Sequence, residues 1–103
     1  MSVLYKIAFR PLAENDLVSL HQYIAENSSL DRAGAYIDRI EHACMALADF
    51  PFRGTQRDDL YPGLRIIGFE RRASIAFVVE NDTVRILRIF YGGRDFPDDW
   101  SDS

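Results

Sequence analysis

The 103-residue chain predicts an α+β domain in the order β-α-α-β-β-β. Three observations point there. A short alternating segment is followed by two stretches whose apolar residues recur at helical spacing. The connection between those stretches is short. The second half then carries three runs rich in β-branched and aromatic residues, separated by brief polar turns. A helical hairpin with one apolar side per helix buries itself best on one face of a mainly antiparallel, four-stranded sheet.

Leu4–Phe9 alternates, with Tyr5, Ile7 and Phe9 on one side and Leu4, Lys6 and Ala8 on the other, and reads as the first strand. Pro11 fits the opening position of a helix, where its missing N–H leaves no bond unmade. Leu12, Leu17, Leu20 and Ile24 carry that helix to about Asn27. Asn27-Ser28-Ser29 interrupts the pattern, and Asp31 is the expected N-cap of the second helix. There Ala33, Tyr36, Ile37, Ile40, Cys44 and Leu47 make one apolar stripe, which Pro51 ends. Phe52–Gly63 reads as a loop. Leu64–Phe69, Ser74–Glu80 and Thr83–Tyr91 read as strands joined at Glu70-Arg71-Arg72 and Asn81-Asp82. The tail FPDDWSDS is acidic, with Trp100 a candidate to dock on the domain.

Length and composition, 48% hydrophobic and 27% charged, fit one globular domain with a single core. No apolar run nears the roughly 20 residues that cross a bilayer, and no secretion signal is visible. Cys44 is the single cysteine, which excludes an internal disulfide and suits a reducing cytoplasm. The net charge of −4 is unevenly laid out. Residues 53–94 hold eight arginines against five acids, while residues 95–103 hold four aspartates and no base. Arginine suits planar, bidentate contact with carboxylate or phosphate.

The stretch Thr83–Asp95 is the most informative. Its apolar run is broken by Arg85 and Arg88, whose spacing of three places them on opposite faces of a regular strand. A Gly92-Gly93 pair then ends the strand and presents Arg94. Guanidinium groups in a central strand suggest that the second face of the sheet meets something other than the helices.

Catalytic and metal chemistry find little support. His21 and His42 lie on different helices without a partner at ligand spacing, so no metal and no cofactor is expected. The arginines can stabilise developing charge on a phosphate, but none can act as a base, since the guanidinium pKa lies above about 12. Glu70, Tyr61 and Tyr91 are the proton-transfer candidates, and no histidine or lysine accompanies them. No catalytic residue is assigned.

The segments YKIAF, RPLAENDLVSLHQYIAE, AYIDRIEHACMALADFP, FRGTQRDDL, GLRIIGF, SIAFVVE and VRILRIFYGGRD resemble, in order and spacing, the RelE/ParE superfamily of bacterial toxins. The Tyr23-Ile24-Ala25-Glu26 run and the L-x-x-F-P-x-x-G helix exit at Leu47–Gly54 resemble the ParE branch. The resemblance implies one toxin domain over residues 1–96 and an acidic tail over 97–103. It further implies a cytoplasmic toxin of a type II toxin–antitoxin system with a role in plasmid stabilisation. Such a toxin would bind DNA gyrase and form a hetero-oligomer with a ParD-like ribbon-helix-helix antitoxin, reaching operator DNA only through that antitoxin and no membrane. The RelE-like alternative is a ribosome-dependent mRNA endonuclease, and a further one is an inactive binding module. Against the RelE pattern, Arg65 and Arg94 match cation positions, whereas Ile67 and Ser74 replace cations and Trp100 or Tyr91 falls near a late tyrosine. The expected contacts with antitoxin or target are Arg65, Arg88, Arg94, Tyr91 and Trp100, with some antitoxin contact on the second face of the last strand.

Overall fold

The structure is a computed structural model and describes residues 4–92, 96–97 and 100. Strand β1 (Lys6–Phe9) leads into helix α1 (Pro11–Asn27), and helix α2 (Leu30–Met45) continues into a 3₁₀ turn at Ala46–Ala48. Strands β2 (Thr55–Gln56), β3 (Arg65–Phe69), β4 (Ala73–Glu80) and β5 (Thr83–Tyr91) follow. The sheet order is β1-β5-β4-β3-β2, with β1 parallel to β5 and every other pair antiparallel. The α+β architecture is the predicted one, with a fifth strand added. That strand is two exposed residues inside the expected loop, and only pairing with β3 makes them a strand. Local propensity carries no signal for so short a piece.

Helix α1 begins at Pro11, as its fixed φ favours, and buries Ala13 and Leu20, with Leu17 and Ile24 half-buried beside them. The N-cap of α2 is Ser29, not Asp31. Its Oγ accepts the Arg32 N–H at 3.1 Å, and Asp31 sits in the first turn, where its charge still favours the positive helix end. Tyr36, Ile40, Cys44 and Leu47 of the predicted stripe pack against Ile75, Phe77, Val84, Ile86 and Ile89 of the sheet. Burying each large aliphatic side chain is worth about 1.5–3 kcal/mol, which makes this layer the main source of stability.

A second, smaller cluster lies on the sheet's other face. Leu64, Ala76, Val78, Leu87, Phe90 and Trp100 are buried there, with Leu60, Tyr61, Ile66 and Phe96 half-buried against them. That face is thus covered by the chain's own 57–64 loop and late aromatic residues. The face of β5 on which some antitoxin contact is expected is thus already covered, around Leu87 and Phe90, by the chain itself.

The arginine spacing also changes meaning. Ile86 pairs with Phe77 but Arg88 pairs with Ala76, leaving Leu87 as an extra, bulged residue. Arg85 lies opposite Val78 and Arg88 opposite Ala76, and both partners belong to the second cluster. The two arginines therefore start from the same face, not from opposite ones, because the bulge adds a residue between them.

Candidate functional site

Strand β1 pairs with β5 only as far as Ile86, so the rest of that β5 edge is open to another partner. Asp16 of α1 supplies it. Its carboxylate accepts the Ile89 N–H at 2.9 Å and two bonds from Arg88, at 2.7 and 2.9 Å. The Arg88 side chain is 24% exposed and that of Asp16 is 14%. Donating to Asp16 holds the Arg88 guanidinium above its ordinary pKa. The same guanidinium carbon lies 5.2 Å from the Phe90 ring centroid. Arg88 is thus engaged within the fold, joining α1 to the central strand.

The other expected contact residues lie in different settings. Arg65 is half-buried on β3, with its guanidinium carbon 5.4 Å from the centroid of the Phe52 ring. Phe52 is itself exposed and meets Tyr5 edge-on. Tyr91 stands at the far end of β5, between Tyr23 and Tyr36, each 5.8 Å away between centroids. Trp100 is buried against Phe90 and Phe96, and its carbonyl accepts a bond from Arg10 Nη1 at 3.2 Å. Its ring is a packing element of the second face. Arg94 lies outside the described residues. The four described residues therefore lie in separate settings.

Much of the arginine excess is committed within the chain. Arg57 forms two bonds to Asp59, both 3.0 Å, and lies over Phe96. Arg85 pairs with Glu80 at 2.9 Å. Ile67 packs at the border of the main core, and Ser74 is half-buried on β4, so neither supplies a charge to the sheet. Among the described residues no cluster of histidine, cysteine and carboxylate could hold a metal. Burial lifts the Cys44 thiol to about 12, with Glu41 adding to the shift, so it stays protonated and unreactive.

A further cluster escaped the reading of the sequence. Arg32, Tyr36 and Arg39 share one side of α2, and Glu70 and Arg72 flank the β3–β4 turn beneath them. Arg39 donates to both Glu70 oxygens, at 2.8 and 3.1 Å, which holds that carboxyl below its usual range. The spacing of Arg32, Tyr36 and Arg39 was visible, but Tyr36 counted as core and the turn as a connector.

A helical hairpin on a mostly antiparallel sheet is the fold of RelE/ParE-type toxins. The family model described as ParE toxin of type II toxin–antitoxin system, parDE, matches residues 7–96. Toxin ParE3 of Caulobacter vibrioides is 34% identical over 86 residues, which is 84% of each chain. Among solved structures, a chain of the chromosomal ParDE toxin–antitoxin system from P. aeruginosa superimposes with a TM-score of 0.76 at 22% identity, covering 86% of this chain and 97% of its own. A chain of the toxin–antitoxin complex RelBE2 from Mycobacterium tuberculosis gives 0.62 at 18% identity, covering 86% and 99%. This chain belongs to the ParE family of type II toxin–antitoxin toxins. Among the described residues no helix is long and apolar enough to cross a membrane.

Proposed function

We propose that this ParE-family toxin arrests growth in the cytoplasm by binding DNA gyrase rather than by cutting RNA. A ParD-like ribbon-helix-helix antitoxin neutralises it in a hetero-oligomer. The observation that carries the reading is the loss of charge at two mid-sheet positions, Ile67 and Ser74, where the RelE pattern has cations. RNA cleavage needs an acid, a base and several cations around one phosphate. Arg88 is held by Asp16, and the two histidines sit on the helices, so the sheet lacks that set among the described residues. For the antitoxin contact, Arg65 is the best-placed of the expected residues. It neighbours Phe52, and Leu4, Phe50 and Phe52 are all large, apolar and exposed. An amphipathic, acidic segment suits such a surface.

The test is induction without antitoxin, followed by gyrase supercoiling and mRNA primer extension side by side. Growth arrest with inhibited supercoiling and intact message supports the proposal. Codon-positioned cuts soon after induction would instead establish the endonuclease reading. Unaffected growth together with tight antitoxin binding would make the chain an inactive binding module.

A further inference from the structure

The backbone groups where β1 meets β5 are accounted for one by one. The Lys6 N–H donates to the Asp82 carbonyl at 2.8 Å and the Arg10 N–H to that of Ile86 at 3.0 Å. The even-numbered residues of β1 therefore face β5. Beyond the end of β1, Asp16 takes the Ile89 N–H. The odd-numbered residues face the other way, as Tyr5 shows by donating to the Ala48 carbonyl at 3.0 Å. Ile7 and Phe9 follow on that outer edge, where β1 has no strand neighbour. Among the described residues nothing receives their N–H groups. Their side chains are half-buried, whereas Val84 and Ile86 beside them on β5 are fully buried. The outer flank of β1 is open.

The side chains along this edge are patterned. On the helix side of the sheet, Ile7 and Phe9 carry the main core to its margin. On the other side stand Lys6, Ala8 and Arg10, with Arg85 opposite Ala8 on β5. Arg10 reaches that side, since its guanidinium donates to the carbonyl of Trp100 in the second cluster at 3.2 Å. Lys6 and Arg85 have carboxylate neighbours in Asp82 and Glu80, but these four side chains are between 40% and 78% exposed. Such surface pairs are weak and exchange readily for others. Ala8, between the two cations, is small and lets another backbone approach. Leu4 and Phe50, both large and exposed, lie within two residues of the Tyr5–Ala48 bond and add apolar surface at the Lys6 end.

We propose that the open edge of β1 binds a partner by strand addition, the partner being an extended segment patterned acidic-apolar-x-apolar-acidic. In an antiparallel addition, Ile7 and Phe9 each exchange two backbone bonds with the incoming strand. Its two apolar residues lie opposite Ile7 and Phe9 and close the margin of the main core. Its two acidic residues lie opposite Lys6 and Arg10, and its central residue opposite Ala8. A second copy of the chain fits this edge poorly. Pairing β1 with itself about Ala8 sets Lys6 of each copy against Arg10 of the other, and like charges directly opposite disfavour the pairing. Lysine on a short edge strand guards against just this self-association. The inference requires neither gyrase nor the surface around Arg65 and Phe52, so it holds or fails apart from the function proposed above.

The test is NMR titration of the isotopically labelled chain with a blocked peptide, Ser-Glu-Val-Thr-Val-Glu-Ser, at constant ionic strength. Saturable shifts centred on the Ile7 and Phe9 amides are expected, with slowed hydrogen exchange at both. N-methylating the two valines, whose N–H groups face β1, should weaken binding about tenfold, as the loss of two backbone bonds implies. N-methylating the central threonine, whose N–H faces away, should change affinity by roughly twofold or less. Lys6→Glu should weaken the glutamate peptide roughly threefold and strengthen a peptide carrying lysines in place of its glutamates. Circular dichroism confirms that the variant is folded. No saturation by roughly 1 mM peptide, or shifts centred away from β1, would overturn the proposal. Equal weakening by both kinds of methylation would overturn strand addition, by showing side-chain adhesion alone. Concentration-dependent dimerisation of the chain by itself, with the same amide shifts, would assign the edge to a second copy instead.

Discussion

Asp16→Ala should be the most informative single change for the fold. It removes three hydrogen bonds at once: two from Arg88 and one from the Ile89 N–H at the open edge of β5. The guanidinium left behind is only 24% exposed, so water replaces the carboxylate poorly. Breaking a fully buried ion pair by removing one partner costs about 3–5 kcal/mol, and partial exposure lowers this to about 2–3 kcal/mol here. Arg88→Met keeps the apolar stem and leaves Asp16 bonded to Ile89, so it should cost about 1–2 kcal/mol. Because both changes delete the same contact, the double variant should fall short of the sum by about 1–2 kcal/mol. Urea unfolding of the four chains measures the cycle. In a domain of this size the Asp16→Ala loss corresponds to a fall in Tm of roughly 10–20 °C. Asp16→Asn should lie between, since its amide oxygen still accepts the Ile89 N–H. Single losses under about 0.5 kcal/mol that simply add would refute the assignment of Asp16 as the joint between α1 and β5.

Gly54→Ala should destabilise by about 2 kcal/mol in the same urea assay, because Gly54 has φ of +86° and its new Cβ would stand 2.5 Å from the Ile66 carbonyl oxygen. Trp100→Ala should uncover the second cluster, losing about 2–4 kcal/mol and raising binding of a hydrophobic dye; unchanged dye fluorescence would show that the cluster is sealed without it. Cys44 should resist a thiol reagent at pH 8 until denaturant is added, and rapid labelling of the native chain would contradict its burial. Glu70 is held low by Arg39, so their bond stabilises the fold above the carboxyl's unfolded pKa of about 4.3 and is lost as pH falls below it. The stability gap between the natural chain and Arg39→Ala should therefore narrow on acidification, and a gap that widens would exclude this ion pair as its source.

The expected contact residues follow from residue type and family position, and the structure separates the described ones. Arg88 could be read as a surface cation or as an anchor; only the meeting of α1 with the unpaired end of β5 selects the anchor, through a partner 72 residues away. Trp100 sits in an acidic tail, which gives no local sign that its ring closes the second face. Tyr36 was legible as core, but that its buried hydroxyl has no hydrogen-bond partner among the described residues is a property of the packing around it.

By itself the sequence determined the α+β class, the order of the main elements and both helices to within a few residues. Pro11, the leucine spacing of α1 and the apolar stripe of α2 act within one or two turns, a range over which propensity and periodicity operate. The same holds for Thr83–Tyr91, whose β-branched and aromatic residues favour a strand in any setting. Tertiary structure alone decided the rest: the two-residue β2, the covering of the second face, and the bulge at Leu87 that brings Arg85 and Arg88 to one side. Each depends on pairing or packing between distant parts of the chain. A one-residue shift in such a pairing reverses every side chain beyond it, and nothing local to the strand records that shift.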